Sequence, residues 1–435
     1  MARQTARRGP GQPKYREAMA DAVLVSSSFL PGQGGIESYL AELCAHLAPR
    51  LAVVAAAERD GKSLPNDLGY PTYGFTGSAL LGPLLLFSNG APRGFRGEAS
   101  GIPRWVPEAR FARFGGKLLW PGRRAAQAVI EVARREGTGR VVFGTPWPLI
   151  LMAPRLVTAG LRYSVIVHGA EMLVPSKVPG VKGRVAEALA GAELLLPVSE
   201  FTANATRRYI EGEGLNVPPI EVLRARVDLD RFTPDADKVS ARRSLGIEDD
   251  EKVVLCFGRL VARKGVDRLI SLMPELARRV PRTVLVVAGT GPLKDKLQKQ
   301  AANTEVGNGR IVFAGRVPDE HAPGVYAMAD VFALPVVDRW FGLEIEGLGV
   351  VLLEAAACHT PAVTGRSGGT PEAVIDGVTG YVVDAADENS LMAKLEFFLT
   401  HPAEAERMGR AGRNHAQENF SDNAVSEGFL TWLKG

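Results

Sequence analysis

Short apolar segments alternate with helical patterns along nearly the whole chain, and this alternation limits the folds it can adopt. In the first half, residues 22–27 predict a buried strand. After a glycine-rich loop, residues 36–47 carry apolar side chains at the three- and four-residue spacing of a helix, and 51–57 predict the next strand. Strand, helix and strand in this order form a right-handed parallel unit. Further strands are predicted at 141–143, 163–167 and 194–198, and helices at 148–159 and 201–209.

A second alternating series follows a linker rich in glycine, asparagine and proline at 211–219. A chain of 435 residues also exceeds one ordinary core, which favours two domains. The sequence therefore predicts an α/β protein of two doubly wound, Rossmann-like domains with a cleft between them. The strands predicted for the second series are 253–257, 283–288, 311–313, 331–334, 361–364 and 381–383, and its helices include 267–279 and 293–302.

Composition excludes several classes of protein. No apolar run reaches the length of a membrane span, and the basic, polar residues 1–16 lack the apolar centre of a secretory signal. Cys44, Cys256 and Cys358 lie far apart in apolar segments, so we expect buried thiols in a reducing, cytoplasmic setting. A net charge of only +4 and no recognition motif argue against a nucleic-acid partner.

One stretch of the second half combines two carboxylates with a glycine turn. Glu346 precedes Gly347-Leu348-Gly349, a helix is predicted to begin near Val350, and Glu354 lies one turn into it. The unpaired N–H groups of such a helix start form an anion site, while carboxylates on either side accept hydrogen bonds from hydroxyls. This geometry suits a nucleotide sugar, although the spacing alone also occurs in proteins without such a site.

Other polar and glycine-rich turns follow predicted strands, on the side where ligands of such sheets bind. Gly258-Arg259, Arg263 and Lys264 follow one strand. Of these three clustered cations Arg259 and Lys264 suit a diphosphate, although the cluster could also be a solvated surface. Gly289, Gly291 and the turn 367–372 follow other strands of this half. In the first half the strand ends carry Gly34-Gly35, His168 and Ser199; the glycine loop lacks the full dinucleotide fingerprint, so an oxidoreductase is not supported.

In this order, these motifs resemble the donor domain of the retaining, family 4 glycosyltransferases of the GT-B fold. The resemblance extends from about residue 20 to the tail 409–413 with Phe420-Ser421. It implies a tail at 1–19, expected to be disordered, an acceptor-side domain at 20–215, a donor domain at 216–408, and a helical segment at 409–435 that packs back on the first domain. The further motifs that carry it are 329–332, Gly368-Gly369-Thr370-Pro371-Glu372 and 377–380.

A narrower resemblance is to the mannosyltransferases that extend phosphatidylinositol mannosides from GDP-mannose. It rests on residues 29–40, 259–265 and 342–354, where Leu348 stands in place of the phenylalanine of many other members. It implies a cytoplasmic enzyme that moves mannose to a hydroxyl of a lipid-linked or glycan acceptor. One departure is Arg226, which occupies a position that is glycine in many members, so the usual backbone conformation there is in question.

The resemblance also implies roles for individual residues. Arg259 and Lys264 would neutralise the donor diphosphate, Glu354 would bind the ribose, and Glu346 and His168 would contact the hexose. Gly35 would let the backbone approach the phosphate or the acceptor. No metal or other cofactor is expected, because two cations and a helix start take its place. The other residues assigned to the donor site are Gly258, Gly289, Gly291, Val317, Gly347, Leu348, Gly349 and Val350.

The insertion at 66–120 is rich in glycine and proline and mixes arginines with aromatic residues. Its composition indicates what the acceptor side of the enzyme could contact. Such a mixture over 87–124 suits an anionic membrane, such as the inner face of the plasma membrane, and a solvated loop with one helix would have the same composition.

The alternatives left open are a family 4 transferase with another nucleotide sugar and a polysaccharide or small-molecule acceptor, a GT-B epimerase, and a non-catalytic sugar-binding protein. A phosphorylase would need a lysine that carries pyridoxal phosphate, and the motifs of that family are absent.

Overall fold

The computed structural model contains two six-stranded parallel sheets, each with helices on its faces. This confirms the predicted pair of doubly wound domains. The basic tail and most of the 66–120 insertion lie outside the described residues, so the membrane surface at 87–124 stays a prediction. The structure describes residues 19–29, 35–56, 58–59, 62–65, 68, 70–75, 123–169, 180–339, 345–421 and 426–435.

The first sheet is built from parallel strands in the spatial order β5-β2-β1-β6-β7-β8. Two further short strands, β3 and β4, pair with each other antiparallel. The strands are β1 (Ala22–Val25), β2 (Leu51–Ala56), β3 (Glu58–Arg59), β4 (Lys62–Ser63), β5 (Thr72–Phe75), β6 (Arg140–Phe143), β7 (Arg162–Val167) and β8 (Leu194–Pro197). The helices are α1 (Gly35–His46), α2 (Arg123–Arg135), α3 (Ala153–Thr158), α4 (Lys182–Ala190) and α5 (Glu200–Glu211).

The helix predicted over 148–159 is wrong in its first turn. Residues Leu149–Met152 form a 3₁₀ turn, and the α-helix begins only at Ala153. Pro154 explains the difference, because it has no N–H to bond the carbonyl of Ile150 and an α-helical ladder cannot run through it.

The second sheet has the order β11-β10-β9-β12-β13-β14, and its strands and helices match the second alternating series of the sequence. The strands are β9 (Lys252–Phe257), β10 (Thr283–Ala288), β11 (Arg310–Gly315), β12 (Val331–Leu334), β13 (Ala362–Gly365) and β14 (Gly380–Val383). The helices are α6 (Lys238–Ser244), α7 (Val266–Arg279), α8 (Lys294–Ala302), α9 (Ala322–Ala327), α10 (Val350–Ala357), α11 (Thr370–Ala373), α12 (Glu388–Thr400), α13 (Pro402–Phe420) and α14 (Glu427–Lys434).

The strand order of each sheet reverses at its first strand, which places a crevice at that strand's carboxyl end. In the first sheet β1 lies between β2 and β6, and in the second β9 lies between β10 and β12. Ligands of open α/β sheets bind at such switch points. The loops that follow β1, β6, β9 and β12 therefore lie nearest to these crevices.

The last two helices divide between the two domains. Helix α13 packs against α10, where Gly409 lies against the carbonyl of His359. Helix α14 packs against β8, and Nε1 of Trp432 donates to Oε2 of Glu193 at 2.8 Å. The two connections between the domains are joined by a hydrogen bond of 2.8 Å from N of Val227 to O of Phe420. The predicted segment 409–435 thus begins inside a helix of the second domain and ends on the first.

Buried strands form the core of both domains, since β1, β8, β10, β12 and β13 have no exposed residue. All three cysteines are buried free thiols. In the part of the chain that the structure describes, no helix combines the length and apolar character needed to cross a membrane.

Candidate active site

Glu346 lies in a buried cluster of charges in the second domain. Its Oε2 is 2.9 Å from Nζ of Lys264 and 3.2 Å from Nε of Arg263, so one carboxylate oxygen accepts from two cations. Only 8% of Glu346 and 6% of Lys264 is exposed. Burial acts to raise the pKa of Glu346, but the charges of Lys264 and Arg263 outweigh it and hold the pKa below its ordinary value. The carboxyl is therefore ionised at neutral pH and can only accept hydrogen bonds.

Two neighbouring strands bring these charges together. Lys264 ends a 3₁₀ turn, Ala262–Lys264, that follows β9, and Glu346 follows β12 on the way to α10. The strands β9 and β12 pair in parallel, so their carboxyl ends lie at the same edge of the sheet. The N–H of Val337, just after β12, donates to the carbonyl of Arg263 at 3.0 Å and joins the two loops.

The backbone of Glu346 is fixed by a third loop, residues 367–372, which we call the 367–372 turn. The N–H of Glu346 donates to Oγ of Ser367 at 3.1 Å, and the N–H of Gly369 donates to the carbonyl of Glu346 at 3.1 Å. Gly368 has φ +55°, and a Cβ on it would lie 1.8 Å from that same carbonyl oxygen. A side chain at Gly368 would therefore displace Glu346.

Glu354 lies one turn into α10, as predicted, and binds a tyrosine. Helix α10 begins at Val350 after Gly349, which caps it in the left-handed conformation. The hydroxyl of Tyr326 donates to Oε2 of Glu354 at 2.5 Å, and the fully buried Tyr326 ring stacks on Phe257 with centroids 5.0 Å apart. Burial raises the pKa of Glu354, and the Tyr326 hydrogen bond opposes that rise.

His168 follows β7 and contacts the second domain through its backbone. Its Nε2 is 2.8 Å from the carbonyl oxygen of Gly144, and because a carbonyl only accepts, Nε2 carries the proton. Its ring also meets Tyr39 of α1 edge to face, with centroids 5.3 Å apart. A Cβ on Gly347 would lie 2.8 Å from the carbonyl oxygen of His168. The structure thus brings His168 and the Glu346–Gly347 segment together across the domain boundary.

The other predicted donor residues follow strands of the two sheets. Arg259 is exposed after β9, and a Cβ on Gly289 would lie 2.0 Å from the carbonyl oxygen of Gly258, so the loops after β9 and β10 touch there. Gly35 is the first residue of α1, the helix that carries Tyr39. The remaining residues are Gly291, which lies against the backbone of Leu260, the buried Leu348, the half-buried Val350, and Val317, which follows the edge strand β11.

A second set of charges lies where α1 faces Glu354. Desolvation of the carboxyl and the negative charge of Glu354 raise the pKa of Glu42, an exposed residue of α1, to about 7, against the opposing effect of Arg231 and Arg226. Arg226 adopts an ordinary backbone conformation, since the non-glycine residues with positive φ in the described ranges are Arg282 and His359. The glycine expected from the resemblance is therefore not required at position 226.

Sequence reasoning missed two residues of this arrangement. Arg263 was recognised as part of a cationic cluster but received no role, and Tyr326 was not considered. A signal for Tyr326 exists, because it is the one hydroxyl-bearing side chain in the otherwise apolar helix Ala322–Ala327, and a buried tyrosine hydroxyl usually has a partner.

The site combines fixed cations, a helix start and two carboxylates of different pKa. Lys264 and Arg263 offer positive charge beside the first turn of α10, and Glu346 and Glu354 offer hydrogen-bond acceptors on either side of it. In the described ranges no group of three or more His, Cys, Asp or Glu side chains is arranged to hold a metal ion. This arrangement can bind an anion that carries hydroxyl groups at both ends.

Comparisons with known proteins agree with this geometry. A family model described as glycosyl transferases group 1 matches residues 237–415. The chain is 39% identical over 312 residues to a GDP-mannose-dependent alpha-(1-6)-phosphatidylinositol monomannoside mannosyltransferase of Mycolicibacterium smegmatis, a match that covers 72% of this chain and 80% of that protein.

Two further similarities cover nearly the whole chain. A GDP-mannose-dependent monoacylated alpha-(1-6)-phosphatidylinositol monomannoside mannosyltransferase of Corynebacterium glutamicum is 31% identical over 413 residues, 94% of this chain and 97% of that protein. The structure of sucrose-phosphate synthase from Thermosynechococcus elongatus superimposes with a TM-score of 0.72 at 20% identity and covers 95% of this chain and 98% of that one, which shows the shared fold. The chain therefore belongs to the group 1 glycosyl transferases and is a family 4 glycosyltransferase of the GT-B fold.

Proposed function

We propose that the enzyme transfers mannose from GDP-mannose to a hydroxyl of a phosphatidylinositol mannoside, with retention of configuration. The observation that carries the proposal is the Lys264–Glu346–Arg263 cluster, which lies beside the start of α10 and against the backbone of His168. The relatives from Mycolicibacterium smegmatis and Corynebacterium glutamicum, named for this donor and acceptor class, support the choice of sugar and lipid.

The diphosphate of the donor would bind at the first turn of α10. The N–H groups there and the positive end of the helix dipole favour an anion, and Lys264 and Arg263 stand beside them. Arg259 is exposed after the same strand and can reach a bound ligand from the solvent side. These charges stabilise the negative charge that develops on the departing GDP, which is the main contribution we assign to the enzyme.

The sugar ends of the donor would bind the two carboxylates. Glu346 stays ionised and accepts hydrogen bonds from mannose hydroxyls, with His168 on the opposite side. Glu354 accepts from the ribose hydroxyls, and Tyr326 orients its carboxylate. Glu346 precedes α10 and Glu354 lies one turn into it, so we assign the two carboxylates to the two sugar ends of the donor.

Transfer with retention needs no covalent intermediate on the enzyme. The bond between the sugar carbon and the β-phosphate oxygen breaks while the acceptor oxygen bonds to the same face of that carbon. The proton of the acceptor hydroxyl passes to the departing phosphate oxygen. The acceptor would enter from the first domain, because the donor residues Lys264, Arg263, Tyr326 and Glu354 all belong to the second.

The test is a donor panel with purified protein. GDP-mannose, GDP-glucose, UDP-glucose and UDP-N-acetylglucosamine are each incubated with and without phosphatidylinositol monomannoside, and the lipid product is digested with α-mannosidase. We expect a mannosidase-sensitive lipid product when GDP-mannose and the acceptor are both present, and none with the other three nucleotide sugars. A product from a UDP-sugar only would overturn the donor assignment, and conversion of GDP-mannose without acceptor would indicate an epimerase.

A further inference from the structure

The 367–372 turn binds the active site on one side and the first domain on the other. On the active-site side, Ser367 and Gly369 hold the backbone of Glu346 as described. Ser367 is 2% exposed, and its hydroxyl donates to Oδ1 of Asp338 at 2.5 Å while it accepts from the N–H of Glu346. The position of this turn therefore determines the position of Glu346.

On the other side, Glu372 caps a helix of the first domain. Its Oε2 accepts from the N–H of Glu200 and its Oε1 from the N–H of Phe201, both at 2.9 Å. Glu200 and Phe201 are the first two residues of α5, whose N–H groups have no partner within the helix. A carboxylate is favoured at this end by the helix dipole, and hydrogen bonds to an ionised acceptor are the strong ones.

Other contacts show that the two domains meet closely at this place. A Cβ on Gly369 would lie 3.1 Å from Cβ of Ser199, the capping residue of α5. Ile345, next to Glu346, and Phe201 line one cavity of about 260 Å³ between the domains. The contact of Glu372 with α5 is thus part of a continuous interface that includes the backbone of the hexose-binding carboxylate.

We propose that Glu372 is a positioning residue that couples closure of the two domains to the alignment of Glu346. When the domains close, Glu372 binds the start of α5 and the 367–372 turn holds Glu346 in the geometry described here. When they separate, the turn loses this anchor. The inference rests on the proposed function for the hexose contact of Glu346, but the anchoring itself is independent of which sugar is bound.

The experiment compares three variants at one position with one control. E372A removes both hydrogen bonds, and E372Q retains one oxygen acceptor without the charge. E372D keeps the charge on a shorter side chain. E388A is the control, because Glu388 is an exposed glutamate in the first turn of α12 in the same domain. Thermal unfolding verifies that each variant folds.

Three readouts separate positioning from folding. We expect kcat to fall about 10- to 100-fold in E372A, the range for losing a hydrogen bond to a charged group, and less in E372Q. We expect the Kd of GDP to stay within about twofold of wild type, because the donor residues lie in the second domain. A larger radius of gyration by small-angle X-ray scattering is expected for unliganded E372A, with E372Q and E372D between it and wild type and E388A unchanged.

The outcomes are distinct from those that test the donor. The scattering measurement needs no nucleotide sugar, and kcat is measured with whichever donor the panel identifies, so a wrong donor leaves this test intact. Unchanged radius of gyration and kcat in E372A would overturn the proposal. An equal loss of kcat and of GDP affinity would also overturn it, since that pattern indicates general damage to the second domain.

Discussion

The ammonium of Lys264 and the carboxylate of Glu346 form a buried ion pair, with Nζ 2.9 Å from Oε2. Removing one partner of a buried pair leaves the other charge uncompensated, so these residues matter to stability as well as to binding. Arg263 shares the same oxygen, so the diphosphate of the proposed donor would meet cations that are already held in place. This double role leads to the first prediction.

Replacement of Lys264 by methionine should lower both stability and activity. We expect the free energy of unfolding to fall by about 1–3 kcal/mol, because Arg263 compensates only part of the Glu346 charge. We expect the transfer rate to fall about 100-fold or more. Urea unfolding and initial rates measure the two effects. R259M is the matched control, since Arg259 is exposed and should lose rate without the loss of stability.

The double variant K264M/E346Q sharpens this test. With the carboxylate neutral, the stability lost in K264M should return in part, whereas transfer should not. Near-normal turnover in K264M would remove the catalytic role of Lys264.

Replacement of Tyr326 by phenylalanine should weaken donor binding. The change deletes the hydroxyl that donates to Glu354 and leaves a buried carboxylate short of a partner. We expect about 1–3 kcal/mol of stability to be lost, and the KM of the donor to rise. Y381F is the control, because the Tyr381 ring packs on Phe397 and Phe398 away from Glu354. An unchanged donor KM in Y326F would contradict the ribose role of Glu354.

Replacement of Gly368 by alanine should abolish transfer. The new Cβ would meet the carbonyl oxygen of Glu346 at 1.8 Å, in addition to the cost of a left-handed conformation, about 1–2 kcal/mol. Gly377 has a similar φ of +73° with open space around it, so G377A isolates the conformational cost. We expect G377A to keep its kcat and G368A to lose about 100-fold or more. Equal kcat values for the two variants would show that displacement of Glu346 is not the cause.

The stability of the protein should fall as pH rises from about 4.5 to about 7 through Glu42. Its pKa is raised from 4.5 to about 7 in the folded state, so the folded state binds the proton more tightly in this window and loses that advantage once Glu42 ionises. E42Q has no such titration. We therefore expect E42Q to match wild type in melting temperature at low pH and to exceed it at pH 8, whereas a constant difference across the range would exclude Glu42 as the source.

Chelation should leave transfer unaffected. In the proposed mechanism, Lys264, Arg263 and the start of α10 would supply the positive charge that a divalent cation otherwise gives to a diphosphate. Initial rates in excess EDTA, with and without added Mg²⁺ or Mn²⁺, measure this. A rate that disappears with EDTA and returns with a metal would contradict the metal-independent mechanism.

Sequence periodicity predicted the fold well because central strands such as β1, β10 and β12 are buried on both faces and therefore apolar along their length. It failed at 148–159, where Pro154 interrupts the hydrogen bonds of an otherwise convincing helix. The start of α10 at Val350 was predicted correctly because Gly349 ends the preceding turn and no breaker follows.

The partners of the site residues were harder to predict than their places. Arg263 contacts Glu346 across 83 positions of sequence and Tyr326 contacts Glu354 across 28. Residues that follow neighbouring parallel strands can be placed near one edge of the sheet, but the directions of their side chains cannot be inferred in this way. The contact of Glu372 with α5 depends on how two separately folded domains meet, and no local pattern encodes that arrangement.

The hydrogen bond between Val227 and Phe420 joins the two chain connections that run between the domains. A point at which both connections are tied restricts how the two domains can twist relative to each other, because neither connection can move there without the other. In the closure proposed above, this restriction would return Glu372 to the same two N–H groups of α5.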